Sequence, residues 1–239
     1  EASLPIIEAF GLVLPAVSTS EFKPELNGVF VSIRQGETLC AATDTFRLAE
    51  KKIKKERGRT EEKKEFILPM KIAQEIVRVF GEEDQPITFS FGENQIEITT
   101  KQVHIFSRLI EGAFPEYSAI IPKTFSTSVF LPKNEIINGV RASSIFASKL
   151  QDVEFRFSQK KLEIVSENTE IGLTKISLPI AMSGKPLTIS FNHRFLLDGL
   201  LAVQEDEVFF GANEPNTPVF LRNKSDTSFT YVVMPIRAS

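Results

Sequence analysis

Cysteine, tryptophan, tyrosine and histidine are nearly missing from this chain. Its 239 residues hold one cysteine, no tryptophan, two tyrosines and two histidines. A lone Cys40 excludes an intrachain disulfide and makes a reducing cytoplasm the natural setting. Its place in an apolar, strand-like segment reads as a packed thiol rather than a reactive one. Neither His104 nor His193 has a Cys or His at metal-ligand spacing, so no metal site is expected. No Gly-x-Ser-x-Gly elbow, phosphate-binding loop or dinucleotide fingerprint occurs, so no catalytic residue and no cofactor is assigned. Asp44, within Thr43-Asp44-Thr45, reads as a residue that holds a turn through nearby backbone groups. No run approaches the length of a membrane span, and no signal peptide opens the chain. An excess of positive charge is lacking too: 28 Lys and Arg against 31 Asp and Glu leave a net charge of −3. This argues against a surface basic all over, but leaves room for a basic face on an acidic body.

What the chain does have is enough apolar material for one or two cores. Hydrophobic residues make up 42% and charged residues 25%, the balance of a globular protein. The 21 phenylalanines supply bulk to those cores. The chain opens on Glu1 rather than Met, so its start is read as trimmed or as the edge of a larger protein.

An internal repeat organises the rest. Leu4-Pro5 opens one amphipathic segment and Leu131-Pro132 another. Phe66-Ile67-Leu68-Pro69-Met70-Lys71 leads into a helix-like stretch, as does Ile189-Ser190-Phe191-Asn192-His193-Arg194. Phe91-Gly92 is matched by Phe210-Gly211. The offsets are 127, 122 (Ile67 to Ile189) and 119 residues, in the same order along the chain, and imply two copies of one domain. Each copy reads as helix, strands, helix, strands. The expected helices span 4–17, 70–80, 131–146 and 193–203; Pro suits the first turn of a helix because its missing donor is unused there. Val153-Glu154-Phe155-Arg156-Phe157 alternates as a half-buried strand does. Gln35-Gly36 and Gln159-Lys160 read as hairpin turns. The class is α+β, with helices on one face of antiparallel sheets. The charged run from Lys51 to Glu65 reads as a solvated hairpin or loop.

At Arg108-Leu109-Ile110-Glu111-Gly112-Ala113-Phe114-Pro115-Glu116-Tyr117, followed by Ile120-Ile121-Pro122, the sequence resembles the bacterial DNA polymerase III beta subunit family, the sliding clamps. Leu26-Asn27-Gly28, Ala42-Thr43-Asp44 with Arg47-Leu48-Ala49, Phe191-Asn192 with Leu196-Leu197-Asp198, and Tyr231-Val232-Val233-Met234-Pro235-Ile236-Arg237 agree in the family's order. The resemblance covers the family's second and third domains, expected here at 1–122 and 123–239, without the first domain. It implies tandem DNA-clamp domains, each with two helices on the concave side of a ring and sheets outside. The intact family member is a ring homodimer, whereas a chain with only these domains is expected to be monomeric.

The implied function is that of a non-catalytic, cytoplasmic bacterial processivity factor. It encircles double-stranded DNA without sequence preference and docks replicative and repair polymerases and the clamp loader. DNA-facing candidates are Lys71 and Arg78, seven apart and so on one helix face, with Lys133, Arg141 and Arg194; ordinary surface charge is the competing reading. Where some members contact DNA through aromatics directly before Leu26, this chain has Pro24 and Glu25. The implied apolar pocket for partner peptides lies between the second and third domains. Its matching residues are Leu26, Thr43, Thr45, Phe46, Arg47, Leu48, Pro115, Ala119, Ile120, Leu150, Asn192, Phe195, Asn216, Pro218, Val233, Met234, Pro235 and Arg237. Leu26 and Val232 fit an ordinary core equally well. Thr45-Phe46 replaces a small-polar pair common in the family, so Phe46 either narrows the pocket or adds a stacking surface. The competing function is a tandem module that binds only proteins; a nuclease is a third and more distant reading.

Overall fold

The computed structural model describes residues 4–54, 63–81 and 87–237. The chain forms two compact units, Glu1–Glu116 and Tyr117–Ser239. Residues 117–122, assigned by sequence to the first copy, thus go with the second. They lead directly into residues 124–126, which the second unit pins: Asn213 Nδ2 donates to Thr124 O at 2.9 Å, and Ser126 N donates to Asn213 Oδ1 at 2.8 Å.

The first unit runs α1 (Leu4–Val13), β1 (Gly28–Arg34), β2 (Glu37–Thr43), β3 (Arg47–Lys54), β4 (Lys64–Pro69), α2 (Met70–Phe80), β5 (Thr88–Phe91), β6 (Gln95–Thr99) and β7 (His104–Arg108). The helix expected to reach residue 17 stops at Val13 and tightens into a 3-10 turn over Leu14–Ala16. Pro15 is the cause: it has no N–H to return to Gly11, and it disfavours the helical conformation at Leu14. β3, β2, β1 and β4 lie side by side in that order, all antiparallel, and β5, β6 and β7 form a meander. Gln35 and Gly36 form the expected two-residue turn between Arg34 and Glu37, with Gly36 at φ +78°. The charged run departs from its expected form at both ends. Lys51–Lys54 extends β3 and Lys64–Glu65 opens β4, because backbone pairing of Lys51 with Cys40 and of Lys54 with Glu37 outweighs composition. The middle of that run, 55–62, falls outside the described residues.

α2 shows why sequence period predicts burial. Ala73, Ile76 and Phe80 are buried, while Lys71, Gln74, Glu75 and Arg78 are exposed on the opposite face. α2 packs against α1, β1 and β4; α1 packs across β2 and β3. Phe10, Leu68, Ile76, Phe80, Ile96 and Ile98 fill this core, each large side chain adding roughly 1.5–3 kcal/mol by leaving water.

The second unit runs β8 (Thr127–Pro132), α3 (Lys133–Ser144), β9 (Asp152–Ser158), β10 (Lys161–Asn168), β11 (Gly172–Pro179), β12 (Ser183–Gly184), β13 (Leu187–Asn192), α4 (His193–Ala202), β14 (Glu207–Ala212), β15 (Val219–Asn223) and β16 (Phe229–Val233). Leu131-Pro132 does not open a helix. It ends β8, in register with Val208 and Glu207 of β14, and the helix starts at Lys133. β11, β10, β9 and β13 lie side by side in that order, repeating β3-β2-β1-β4, and β14-β15-β16 repeats the β5-β6-β7 meander. Two copies of one fold are therefore present, with helices packed on antiparallel strands in each. On β9 the buried residues are Val153, Phe155 and Phe157, as the alternation requires. Where α4 meets β16, Gly199 leaves room for the fully buried Tyr231 ring; a Cβ there would sit 2.4 Å from Tyr231 Cδ1. Tyr231 OH donates to Phe195 O at 2.8 Å and fixes the same helix from below. Among the described residues no helix is long and apolar enough to cross a membrane.

Candidate DNA-facing helices and docking residues

Among the described residues the helices carry five Lys or Arg and four Asp or Glu, a slightly cationic set within an acidic chain. Their members are not equivalent. Lys71, Arg141 and Arg194 are exposed. Arg78 is also exposed, but its Nε and Nη2 donate to Glu75 Oε2 at 3.0 and 2.6 Å. That bonding lowers the Glu75 carboxyl below its usual range and raises the guanidinium. The pair presents no net charge, which leaves Lys71 to carry the positive face of α2. Lys133 is half-buried and its Nζ donates to Val203 O at 2.9 Å. It ties the start of α3 to the residue after α4, so its ammonium is held within the fold rather than offered outward.

In the first unit, Thr43 to Leu48 form one built turn between β2 and β3. Asp44 Oδ1 accepts from Phe46 N and Arg47 N, both at 2.9 Å, and Asp44 Oδ2 accepts from Arg47 Nε at 2.9 Å. Thr43 Oγ1 donates to Arg47 O at 2.6 Å. Asp44 therefore holds the turn, as its sequence context suggested. Thr45 sits at φ +78°, the left-handed region that a β-branched residue rarely adopts. The turn lifts Phe46 into solvent, where it is 59% exposed. Leu26, Thr43 and Leu48 are buried, whereas Pro115 is exposed. Between Ser18 and Leu26, Phe22 is 96% exposed, an aromatic that lies earlier than the position replaced by Pro24 and Glu25.

In the second unit, Asn192 Oδ1 caps α4 by accepting from Arg194 N and Phe195 N at 3.0 and 3.4 Å. Ile236 N donates to Ser190 O at 2.8 Å, so the tail holding Met234, Pro235 and Arg237 runs beside the β13–α4 junction. Met234, Pro235 and Phe195 are half-buried, and Arg237 is exposed. Val233 is buried at the end of β16. Ala119, Ile120, Leu150 and Asn216 are exposed and Pro218 is half-buried. The two units match, in order, the DNA polymerase III beta subunit central domain over residues 6–116 and its C-terminal domain over 118–237. The chain belongs to the DNA polymerase III beta subunit family. A beta sliding clamp of Staphylococcus aureus is 32% identical over 228 residues, a match covering 93% of this chain and 59% of that protein. The chain thus spans about three-fifths of such a relative. The sliding clamp of Bacillus subtilis superposes with a TM-score of 0.94 at 26% identity, over 99% of this chain and 63% of that one. A Pseudomonas aeruginosa sliding clamp bound to griselimycin gives 0.92 at 24% identity, over 98% and 63%.

Two features of these beta-subunit domains escaped the sequence reading. One is the Glu75–Arg78 pair, whose i,i+3 spacing was visible. The other is the loop carrying Leu150, where Gln151 has φ +59° and is bonded to His193. No composition signal marks a left-handed Gln.

Proposed function

We propose that this chain is the central and C-terminal portion of a bacterial sliding clamp, a non-catalytic processivity factor that surrounds duplex DNA. The observation that carries this reading is the repeated strand order, β3-β2-β1-β4 and β11-β10-β9-β13, each with its own pair of helices and a closing meander. A chain built of tandem units of one repeated fold is suited to closing a ring, and a ring holds DNA by topology rather than by reading bases. The full-length protein is read as a cytoplasmic ring homodimer. β11 suits a closing edge: within the described residues it pairs only with β10, and exposed Ile145, Ile171 and Leu173 lie on or near it. The docking reading rests on the residues at the β13–α4 junction of the second unit, where half-buried Met234, Pro235 and Phe195 would take the anchors of a short peptide from polymerases and the clamp loader. Leu and Phe anchors contribute roughly 1.5–3 kcal/mol each on burial, offset in part by ordering the peptide, so micromolar affinity is expected.

The test is retention of the full-length protein on plasmid DNA. A ring stays on a nicked circle and is lost when the circle is cut to a linear molecule. Equal retention on both forms would refute encirclement. A second reading, a module that docks proteins only, is favoured by the neutralised Arg78 and the tethered Lys133. It predicts no retention on either form, with peptide binding intact.

A further inference from the structure

We propose that the Ser148–Asp152 loop is a pre-ordered mount for Leu150, and that His193 is the positioning residue that keeps it ready for a docked peptide. This rests on the docking reading above. Leu150 is 65% exposed at the tip of a short connection between α3 and β9, yet several polar groups of that connection are committed. Ser148 N and Oγ donate to Asp152 Oδ1 at 3.2 and 2.6 Å. Leu150 N donates to Ser148 Oγ at 3.0 Å, and Gln151 N donates to Ser148 O at 2.9 Å. From the other side, His193 N donates to Gln151 O at 2.9 Å, and the ring Nε2 donates to Gln151 Oε1 at 3.0 Å. The His193 ring is buried and its bond to Gln151 is part-buried, so that bond is partly shielded from competing water.

The clasp is held at a cost. Gln151 occupies the left-handed region at φ +59°, and the buried His193 Nδ1 has no hydrogen-bond partner among the described residues. Unfavourable features of this kind persist where the surroundings over-determine them, and they gather at binding and switching segments. His193 also follows the capping Asn192 and precedes Phe195 by two residues. The clasp therefore joins the Leu150 loop to the very helix end assigned to docking. An apolar side chain on a loop already fixed loses less freedom when a partner arrives.

The experiment measures binding of a fluorescein-labelled peptide carrying a Gln, a Leu and a terminal Phe to the whole chain, by stopped-flow and anisotropy. Leu150→Ala is expected to weaken binding about tenfold by removing buried apolar contact. His193→Ala is expected to weaken it about fivefold, chiefly through slower association, because the loop must then be ordered on binding. The double variant should bind no more weakly than Leu150→Ala alone, since residues acting through one contact are not additive. Gln151→Gly, which keeps the left-handed backbone and deletes the acceptor, should reproduce His193→Ala and guards against a folding defect in the latter. Additive losses in the double variant, or unchanged affinity in Leu150→Ala, overturn the proposal while the docking reading stands. A wild-type chain that takes up no peptide overturns both.

Discussion

Removing Lys71 should change how DNA binding responds to salt, not merely how strong it is. Each phosphate neutralised by a cation releases counterions and steepens the fall of log K with log[salt] by about 0.9. Lys71 is exposed and carries the net charge of α2, so Lys71→Ala should lower the slope by about 0.9. Over the fourfold range from about 50 to 200 mM salt, that corresponds to a roughly 3.5-fold smaller loss of affinity. Arg78 differs because Glu75 already neutralises it. Arg78→Ala should therefore change the slope by much less, whereas Glu75→Gln, which frees the guanidinium, should raise it toward one further contact. Charge reversal of Lys71 and Arg78 together should remove at least the contribution of one contact. Fluorescence anisotropy on a labelled duplex across a salt series gives these slopes directly. A slope unchanged in Lys71→Ala, or lowered in Glu75→Gln, would refute the placement of α2 against the phosphates.

Gly199→Ala should destabilise the second unit by about 1–3 kcal/mol through overpacking against Tyr231, read as a lower melting temperature. Asp44→Ala removes the acceptor of two backbone N–H groups and the partner of Arg47, so chemical denaturation should show a loss of about 1–3 kcal/mol. Met234→Ala should weaken peptide capture by about 1–2 kcal/mol, some 5- to 30-fold by titration. Burial pushes the Cys40 thiol up to about 12. Native protein at pH 8 should therefore resist a thiol-specific reagent until unfolded. Because the thiol's pKa is raised in the folded state, its contribution to stability is complete below about 9 and is lost as pH climbs from there toward 12; replacing Cys40 with Ala should flatten that part of the pH profile.

Local pattern carried much of the fold. α2 spans the residues its 3.6-residue period marks, β9 alternates as written, and Gln35-Gly36 turns as its composition demands. The misreadings came from contacts distant in sequence. Leu131-Pro132 looks like a helix start until β14 claims it as a strand end. Lys51–Lys54 looks like part of a solvated hairpin or loop until β2 pairs with it. Lys133 looks like a surface cation, but its partner is a carbonyl 70 residues away. For the candidate site residues, exposure was not legible in the sequence. Leu26, Leu48 and Val233 proved buried, whereas Phe46 stands out because Thr45 takes a backbone conformation no propensity forecasts. The Gln151–His193 clasp could not be read because it depends on two segments meeting across 42 residues.

On the proposed reading, the near-balance of charge on the four helices among the described residues has a kinetic consequence. A duplex presents phosphates as an even ladder, and a strongly cationic sleeve would stick at every rung. With little surplus charge, each step of the proposed ring from one phosphate set to the next would release and recapture few ions, and the barrier between rungs would stay low. In the proposed ring, friction would be kept small by the same carboxylates that make the surface look unpromising as a DNA binder, and endurance on the track would fall to ring closure.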